Sequence, residues 1–372
     1  MEQNLRIPGP TPIPPQVAEA LGRPMINHRG PEFAALLGRV TEQLQFFFQT
    51  KNRILTYPSS GSGGWEATVV NLFSPGDSIL AVPVGVFGDR FAGVAKTFGL
   101  NVTRVETEWG QAADPEAVAE ALKNLPQAKG VFLTQNETST GVMNDIEALA
   151  KAIRAVREDV LICVDAVSSL SCVDLQTDNW DLDVVLTGSQ KGWMVPPGLA
   201  MISVSDRAWE ANKTATLPRF YWDFTKVAKN ADKGQTPYTP PVSIFFGLDV
   251  SLAMMREEGR EAIFARHQAC ADLTRSRAKA LGLELYANPA VASNTVTAIK
   301  APESVGGAKA ITKAMREQEG VVLAGGQEKL DGQIFRIGHL GWVHEADIAA
   351  CMDALERQLK ALGFQAPAAV GN

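Results

Sequence analysis

Asp183-Val184-Val185-Leu186-Thr187-Gly188-Ser189-Gln190-Lys191-Gly192-Trp193 carries an apolar run into small polar residues and then into a lysine. A short continuous apolar run bounded by turn residues reads as a fully buried strand. Upstream, Val160-Leu161-Ile162-Cys163-Val164-Asp165 is a second such run, and it stops on a carboxylate. Residues just past the carboxyl ends of strands face the ligand crevice of an open α/β sheet. Asp165 and Lys191 are therefore expected at the rim of one site. A lysine there can form a Schiff base with a carbonyl cofactor, and an aspartate can keep a heteroaromatic nitrogen protonated. Taken singly, Asp165 reads as a helix cap and Lys191 as a solvated loop residue; together, at two sheet ends, they favour chemistry.

Outward from this pair the chain alternates. Helical patterning over 31–49 gives way to a strand at 53–57, a glycine-rich turn and a helix over 62–73. Strands at 78–84, 101–105 and 130–134 alternate with helices over 88–99, 114–124 and 145–157, and Leu199–Val204 adds one more strand. Such alternation predicts a mostly parallel sheet, seven-stranded, covered by helices. Residues 206–241 are less regular. A long helical stretch over 242–281 is expected to break near Gly259, followed by strands near 283–287, 294–300, 321–324 and 333–337 and a helix over 344–362. The predicted class is α/β, with an extended arm (1–15, stiffened by Pro8, Pro10, Pro12, Pro14 and Pro15), a large domain (16–258) and a smaller α+β domain (259–372).

Bulk properties narrow the function. The chain of 372 residues has net charge −6 and no basic block, which argues against nucleic acid as the main partner. Cys163, Cys172, Cys270 and Cys351 lie far apart without CxxC spacing, so neither a disulfide framework nor a zinc site is expected. No stretch approaches a transmembrane length, the N-terminus has no secretory apolar core and the C-terminus is no peroxisomal tripeptide. A cytoplasmic protein with small-molecule substrates is the expectation. His339 and His344 read as polar residues near a loop, and no metal is assigned.

Ser59-Ser60-Gly61-Ser62-Gly63-Gly64-Trp65-Glu66-Ala67 follows a strand and opens a helix. Such a turn can present backbone N–H groups, hydroxyls and the positive end of a helix to a phosphate. The chain has no GxxxxGK[ST], and Glu66 occupies the third glycine position of a GxGxxG, so this is no nucleotide fingerprint. Phosphate cradle, strand-end aspartate and strand-end lysine together describe a pyridoxal 5′-phosphate site.

The motifs Pro8-Gly9-Pro10-Thr11-Pro12, His28-Arg29-Gly30-Pro31, Asn136-Glu137-Thr138-Ser139-Thr140-Gly141, Val164-Asp165-Ala166-Val167-Ser168-Ser169, Pro237-Tyr238-Thr239-Pro240-Pro241 and Phe335-Arg336-Ile337-Gly338-His339 join the cradle and the lysine loop in one order. In that order the chain resembles the class V, fold type I pyridoxal-phosphate aminotransferases of the serine–glyoxylate and alanine–glyoxylate group, over nearly its whole length.

The resemblance implies roles. Lys191 would be the Schiff-base lysine and the base that moves the α-proton. Asp165 would pair with the pyridine N–H, and Phe87 would stack on the ring. Ser62, Gly63, Gly64 and Gln190 would hold the phosphate. Ser139 and Thr138 would approach the ring hydroxyl and substrate, with Gly9 also on the substrate side. Tyr238 and Thr239 would reach the cofactor phosphate of the neighbouring subunit in a homodimer. Arg336 would take the substrate α-carboxylate, because a guanidinium donates two parallel hydrogen bonds.

The implied activity is transfer of the amino group of serine or alanine to glyoxylate, with aspartate or ureidoglycine as alternative donors. A cysteine desulfurase would need a mobile nucleophilic cysteine in the second domain, and the segment 301–308 holds none.

Overall fold

The computed structural model describes residues 3–366. Residues 1–2 and 367–372, which carry the ends of the expected arm and second domain and the C-terminal tripeptide, lie outside the described residues.

Seven strands form the main sheet, in the order Arg53–Ser59, Gly198–Val204, Val184–Gly188, Leu161–Asp165, Ala128–Thr134, Ser78–Ala81 and Asn101–Arg104. Every pair is parallel except the two made by Gly198–Val204, which runs against both of its neighbours. A parallel return needs a crossover of a dozen or more residues. Residues 189–197, which link Val184–Gly188 to Gly198–Val204, are too few for one, so the chain turns straight back.

Side chains alternate across each central strand. Val131, Leu133, Ile162, Val164 and Val185 enter one core cluster, with the helices Pro31–Phe48 and Val242–Glu258. Phe132, Leu161, Cys163, Val184 and Leu186 enter the other, with Gly61–Leu72 and Val86–Thr97. Each fully buried Val, Leu or Phe is worth about 1.5–3 kcal/mol. The sheet is therefore a stiff platform, and its strand ends hold whatever they carry in place.

The later part of the chain builds a second, antiparallel sheet in which Val296–Lys300 and Ala324–Gly325 flank Ile334–Gly338. Its own core unites Cys270, Ile299, Ile311, Phe335, Ile337 and Leu355. The long helical stretch is two helices, Val242–Glu258 and Arg260–Ala280, parted at Gly259, whose φ of 84° lies in the left-handed region.

Several local expectations change. The strand near 283–287 reduces to a single bridge, Leu285 to Ile299. Residues 206–241 contain two helices, Asp206–Thr214 and Phe224–Ala231, each N-capped by its own side chain (Ser205 and Asp223). Gly307–Glu319 is an unforeseen helix that packs Ala308, Ile311 and Met315 inward. The proline-rich arm is extended only to Pro14, since Pro15 opens a helix through Leu21, the position where a missing N–H costs nothing.

The arm also has a partner at each end. Asn4–Leu5 pairs with Val321–Val322 of the second unit, and the Gly338 N–H donates to Arg6 O at 2.7 Å. Further on, Thr11 N–H donates to Gln190 O at 3.1 Å and Thr11 Oγ1 to Lys191 O at 2.9 Å. The arm thus runs from the second sheet onto the lysine loop.

Candidate active site

At the carboxyl ends of the central strands lies a cavity of about 140 Å³. Of the residues expected here, Ser62, Phe87, Thr138, Asp165, Gln190 and Lys191 line it. Ser60, Gly61, Trp65, Asn136, Val167 and Ser168 line it as well, without having been assigned a role from sequence. All six fall inside the cradle, the Asn136 segment or the Asp165 segment, so closeness to those motifs was the available signal. A wider groove of about 920 Å³ elsewhere is edged by Asp145, Glu147, Asp174 and Glu261 and, among the described residues, by no basic one, so these offer no cation to a phosphate.

Lys191 is held from above by the arm. Its Nζ donates to Pro8 O, and a Cβ on Gly9 would stand 2.6 Å from Lys191 Cδ and 2.7 Å from Nζ. Gly9 has φ +115°, a conformation that demands glycine, and any side chain there would push the Lys191 amine aside. Burial, and then the nearby Arg336 cation, bring the Lys191 amine down to about 8, with Asp165 opposing. An amine so lowered is partly neutral near physiological pH and can act as nucleophile or base.

Asp165 ends its strand buried, one oxygen accepting the Val167 N–H at 2.8 Å. Burial pushes it up to about 7; the Val167 bond opposes this, the Glu137 charge adds to it, and Trp65 and Lys191 counter it. Among the described residues this carboxylate has no cation in direct contact. A protonated heteroaromatic nitrogen would supply one.

One further atom waits for a partner. Gln190 Oε1 is buried with no hydrogen-bond partner among the described residues, and its residue lines the cavity. Buried polar atoms are nearly always paired in a folded protein, so an unpaired one at a cavity wall is the mark of a polar ligand. The helix Gly61–Leu72 adds an open N-terminus, since its cap residue Ser60 makes no side-chain capping bond. Gly63 N–H is turned back onto Ser60 O at 3.0 Å, and a Cβ there would meet Ser59 Oγ at 1.9 Å. At Gly64 a Cβ would make only ordinary contact with Leu186, at 3.5 Å. The residues present fit pyridoxal phosphate at both its ring nitrogen and its phosphate.

Ser139 is spent elsewhere. Its Oγ donates to Glu137 Oε1 at 2.6 Å and accepts the Val86 N–H at 3.0 Å. The fully buried Glu137 also accepts the N–H groups of Phe87 and Gly88, each at 3.1 Å, and so caps the helix Val86–Thr97 from outside. A Cβ on Gly85 would stand 2.5 Å from Glu137 Cγ, which explains the glycine at that helix start. Asn136 and Thr138 both donate to Ser168 Oγ, at 2.8 and 2.7 Å, and Ser293 of the second unit donates to Asn136 Oδ1.

Arg336 comes from the middle strand of the second sheet and is 6% exposed. Its Nε donates to Gly325 O at 2.9 Å, and Nη1 to Thr138 O at 3.0 Å and to Gln327 Oε1 at 3.3 Å. Burial lowers the guanidinium to about 10, with Glu137 opposing, so it stays cationic at neutral pH.

Tyr238 and Thr239 do not line this cavity. The Tyr238 hydroxyl receives Lys226 Nζ at 3.0 Å and donates to Phe220 O at 2.8 Å, while its ring stacks on Tyr221 at 4.7 Å. Thr239 is exposed. Arg29 grips the same segment through Thr236 O at 2.7 Å, so the His28–Pro31 motif and this one meet. His339 bonds Thr297 Oγ1 at 2.8 Å and Asn294 O at 3.1 Å, while His344 caps the last helix, Glu345–Ala361.

The family model for class V aminotransferases matches residues 8–331. A protein named soluble hydrogenase, small subunit, from Synechococcus sp. is 47% identical, over 97% of this chain and 94% of its own length. An L-aspartate–glyoxylate aminotransferase from Paracoccus denitrificans is 38% identical, over 96% and 91%. A serine–glyoxylate aminotransferase from Hyphomicrobium methylovorum is 38% identical, over 96% and 89%. Among solved structures, pyridoxamine–pyruvate aminotransferase from Mesorhizobium loti superposes with TM-score 0.93 at 32% identity, over 98% of this chain and 94% of that one. With the family matched over most of the chain, the fold shared and the cavity suited to the cofactor, the chain belongs to the class V aminotransferases, and pyridoxal 5′-phosphate is its cofactor.

Proposed function

We propose that this chain transfers the amino group of L-serine or L-alanine to glyoxylate, giving glycine and hydroxypyruvate or pyruvate. The observation that carries the reading is that Lys191 and Asp165 line one cavity, with the Arg336 cation near enough to lower the Lys191 amine. Two relatives at 38% identity are named for glyoxylate, and they support that acceptor.

Bound pyridoxal phosphate supplies an aldehyde that condenses with amines and a pyridine ring that accepts carbanion charge. Asp165 holds the proton on the pyridine nitrogen, so the ring stays electron-poor. Arg336 fixes the α-carboxylate, which orients the Cα–H bond towards the lysine. The Lys191 amine would take the proton from the donor Cα and pass it on to the cofactor, a role its lowered basicity suits. Phe87 and Val167 line the cavity and the arm meets the Lys191 amine through Pro8 O, so together they would keep water from these groups.

Aspartate is the second donor reading. A relative named for L-aspartate and glyoxylate, 38% identical, supports it. A desulfurase is disfavoured, because burial pushes the thiols of Cys270 and Cys351 up to about 11 and about 12, the reverse of activation. Four free, buried cysteines suit a cytoplasmic setting.

The active unit in this proposal is a homodimer with shared sites, Thr239 of the partner subunit reaching the cofactor phosphate. Exposed Thr239 and the 73% exposed Phe220 beside Tyr238 support it.

A donor panel with glyoxylate as acceptor, read by chromatographic detection of glycine, tests the reaction. Serine or alanine is expected to give the highest kcat/KM. Preference for aspartate would move the assignment to the second reading, and absence of glycine with every donor would overturn the acceptor.

A further inference from the structure

An arginine has five N–H donors, and a carboxylate bound in parallel fashion uses two of them side by side. In Arg336 the single hydrogen on Nε is committed to Gly325 O, and the two on Nη1 to Thr138 O and Gln327 Oε1. Only Nη2 has no partner among the described residues. Either way of offering two parallel donors needs a group that is already bonded. For a substrate carboxylate to gain a two-point contact, one acceptor has to leave.

Gly325 O and Thr138 O are backbone atoms, the first on the strand paired with Arg336 and the second on a buried segment. Gln327 Oε1 is the end of a rotatable, half-buried side chain, and its bond, at 3.3 Å, is the longest of the three. It is the group free to yield. Its Nε2 has no partner among the described residues, so turning the amide over offers a new donor at the place the oxygen left.

We infer that Gln327 is a specificity-determining residue of the carboxylate subsite: its amide oxygen occupies the Arg336 fork in the free enzyme, and its amide nitrogen donates to the substrate carboxylate once that oxygen is displaced. The subsite is then built from Nη1, Nη2 and one neutral amide, and it selects a single α-carboxylate. This inference rests on the reading of Arg336 as the α-carboxylate partner.

The test titrates the holoenzyme with glycolate, which has the carboxylate but neither carbonyl nor amine, by calorimetry. Gln327→Glu keeps the shape and sets a carboxylate against Arg336, so the glycolate Kd is expected to rise about tenfold or more. Gln327→Leu removes the donor together with the oxygen that has to leave; that oxygen is weakly held, at 3.3 Å, so loss of the donor dominates and is expected to raise the glycolate Kd about threefold or more. Both variants should keep the parent cofactor affinity and melting temperature, and binding of ethylamine, which lacks a carboxylate, should stay unchanged. An unchanged glycolate Kd in Gln327→Leu overturns the inference. Equal losses of glycolate and ethylamine also overturn it, because they would show a general disturbance of the site. Arg336→Gln, measured in parallel, separates the two levels: if glycolate binding survives there, the reading of Arg336 itself fails.

Discussion

The Glu137 carboxylate accepts a hydrogen bond from the backbone N–H of Phe87 at 3.1 Å. The first N–H groups of a helix have no intrahelical partner, and they favour a negative charge. Burial pushes the Glu137 carboxyl up, while the bonds from Ser139, Gly88 and Phe87 pull it back. Glu137 therefore fixes the start of the helix that brings Phe87 to the cavity. Glu137→Gln keeps the volume but turns an N–H₂ group against one of these donors. The variant is expected to lose about 1–3 kcal/mol of stability and to weaken the visible circular dichroism of the bound cofactor. Chemical denaturation and the cofactor signal are the measurements; parental values for both would remove Glu137 from this role.

Asp165 gives a pH dependence with a definite sign. Without cofactor, folding raises its carboxyl from 3.8 to about 7, so the folded chain holds this proton more tightly than the unfolded one. That contribution to stability is complete below about pH 4 and is lost as pH climbs through 7. Asp165→Asn carries no charge at any pH. In cofactor-free protein it is expected to be more stable than the parent, with a gap that widens between pH 4 and pH 8 to an order of 1–4 kcal/mol, while its affinity for pyridoxal phosphate falls. Unfolding curves at the two pH values measure this. A gap independent of pH would mean that Asp165 stays solvated.

The β/α alternation and the two strand-end residues were legible because burial on both faces leaves a run such as Leu161–Val164 without polar interruption. The antiparallel turn of Gly198–Val204 was less so, since its apolar pattern is the same in either direction and only the short link 189–197 forces the reversal. Gly307–Glu319 was missed because Pro302 and the Gly306-Gly307 pair mask its start. At the site, single motifs showed themselves, but their connections did not. The wiring of Ser139 to Glu137, the loan of Gln327 to Arg336 and the arm's grip on Lys191 all join residues whose meeting depends on the finished fold.

If the site is shared between subunits, two inactive variants should complement each other. Lys191→Ala loses the lysine, and Tyr238→Phe with Thr239→Ala loses the segment proposed to cross the interface. Heterodimers formed by co-refolding would hold one intact site, so partial activity is expected. Heterodimers shown to form and yet inactive, from inactive parents, would mean that each chain completes its own site.

The central claim is that Lys191 is the residue which carries the cofactor. Its amine is buried, brought down to about 8, and placed beside Asp165 at the ends of adjacent strands. Borohydride reduction of the holoenzyme followed by peptide mapping tests this most directly. The pyridoxyl mass is expected on the peptide containing Lys191 and on no other; its appearance on a different lysine, with Lys191 unmodified, would contradict the account.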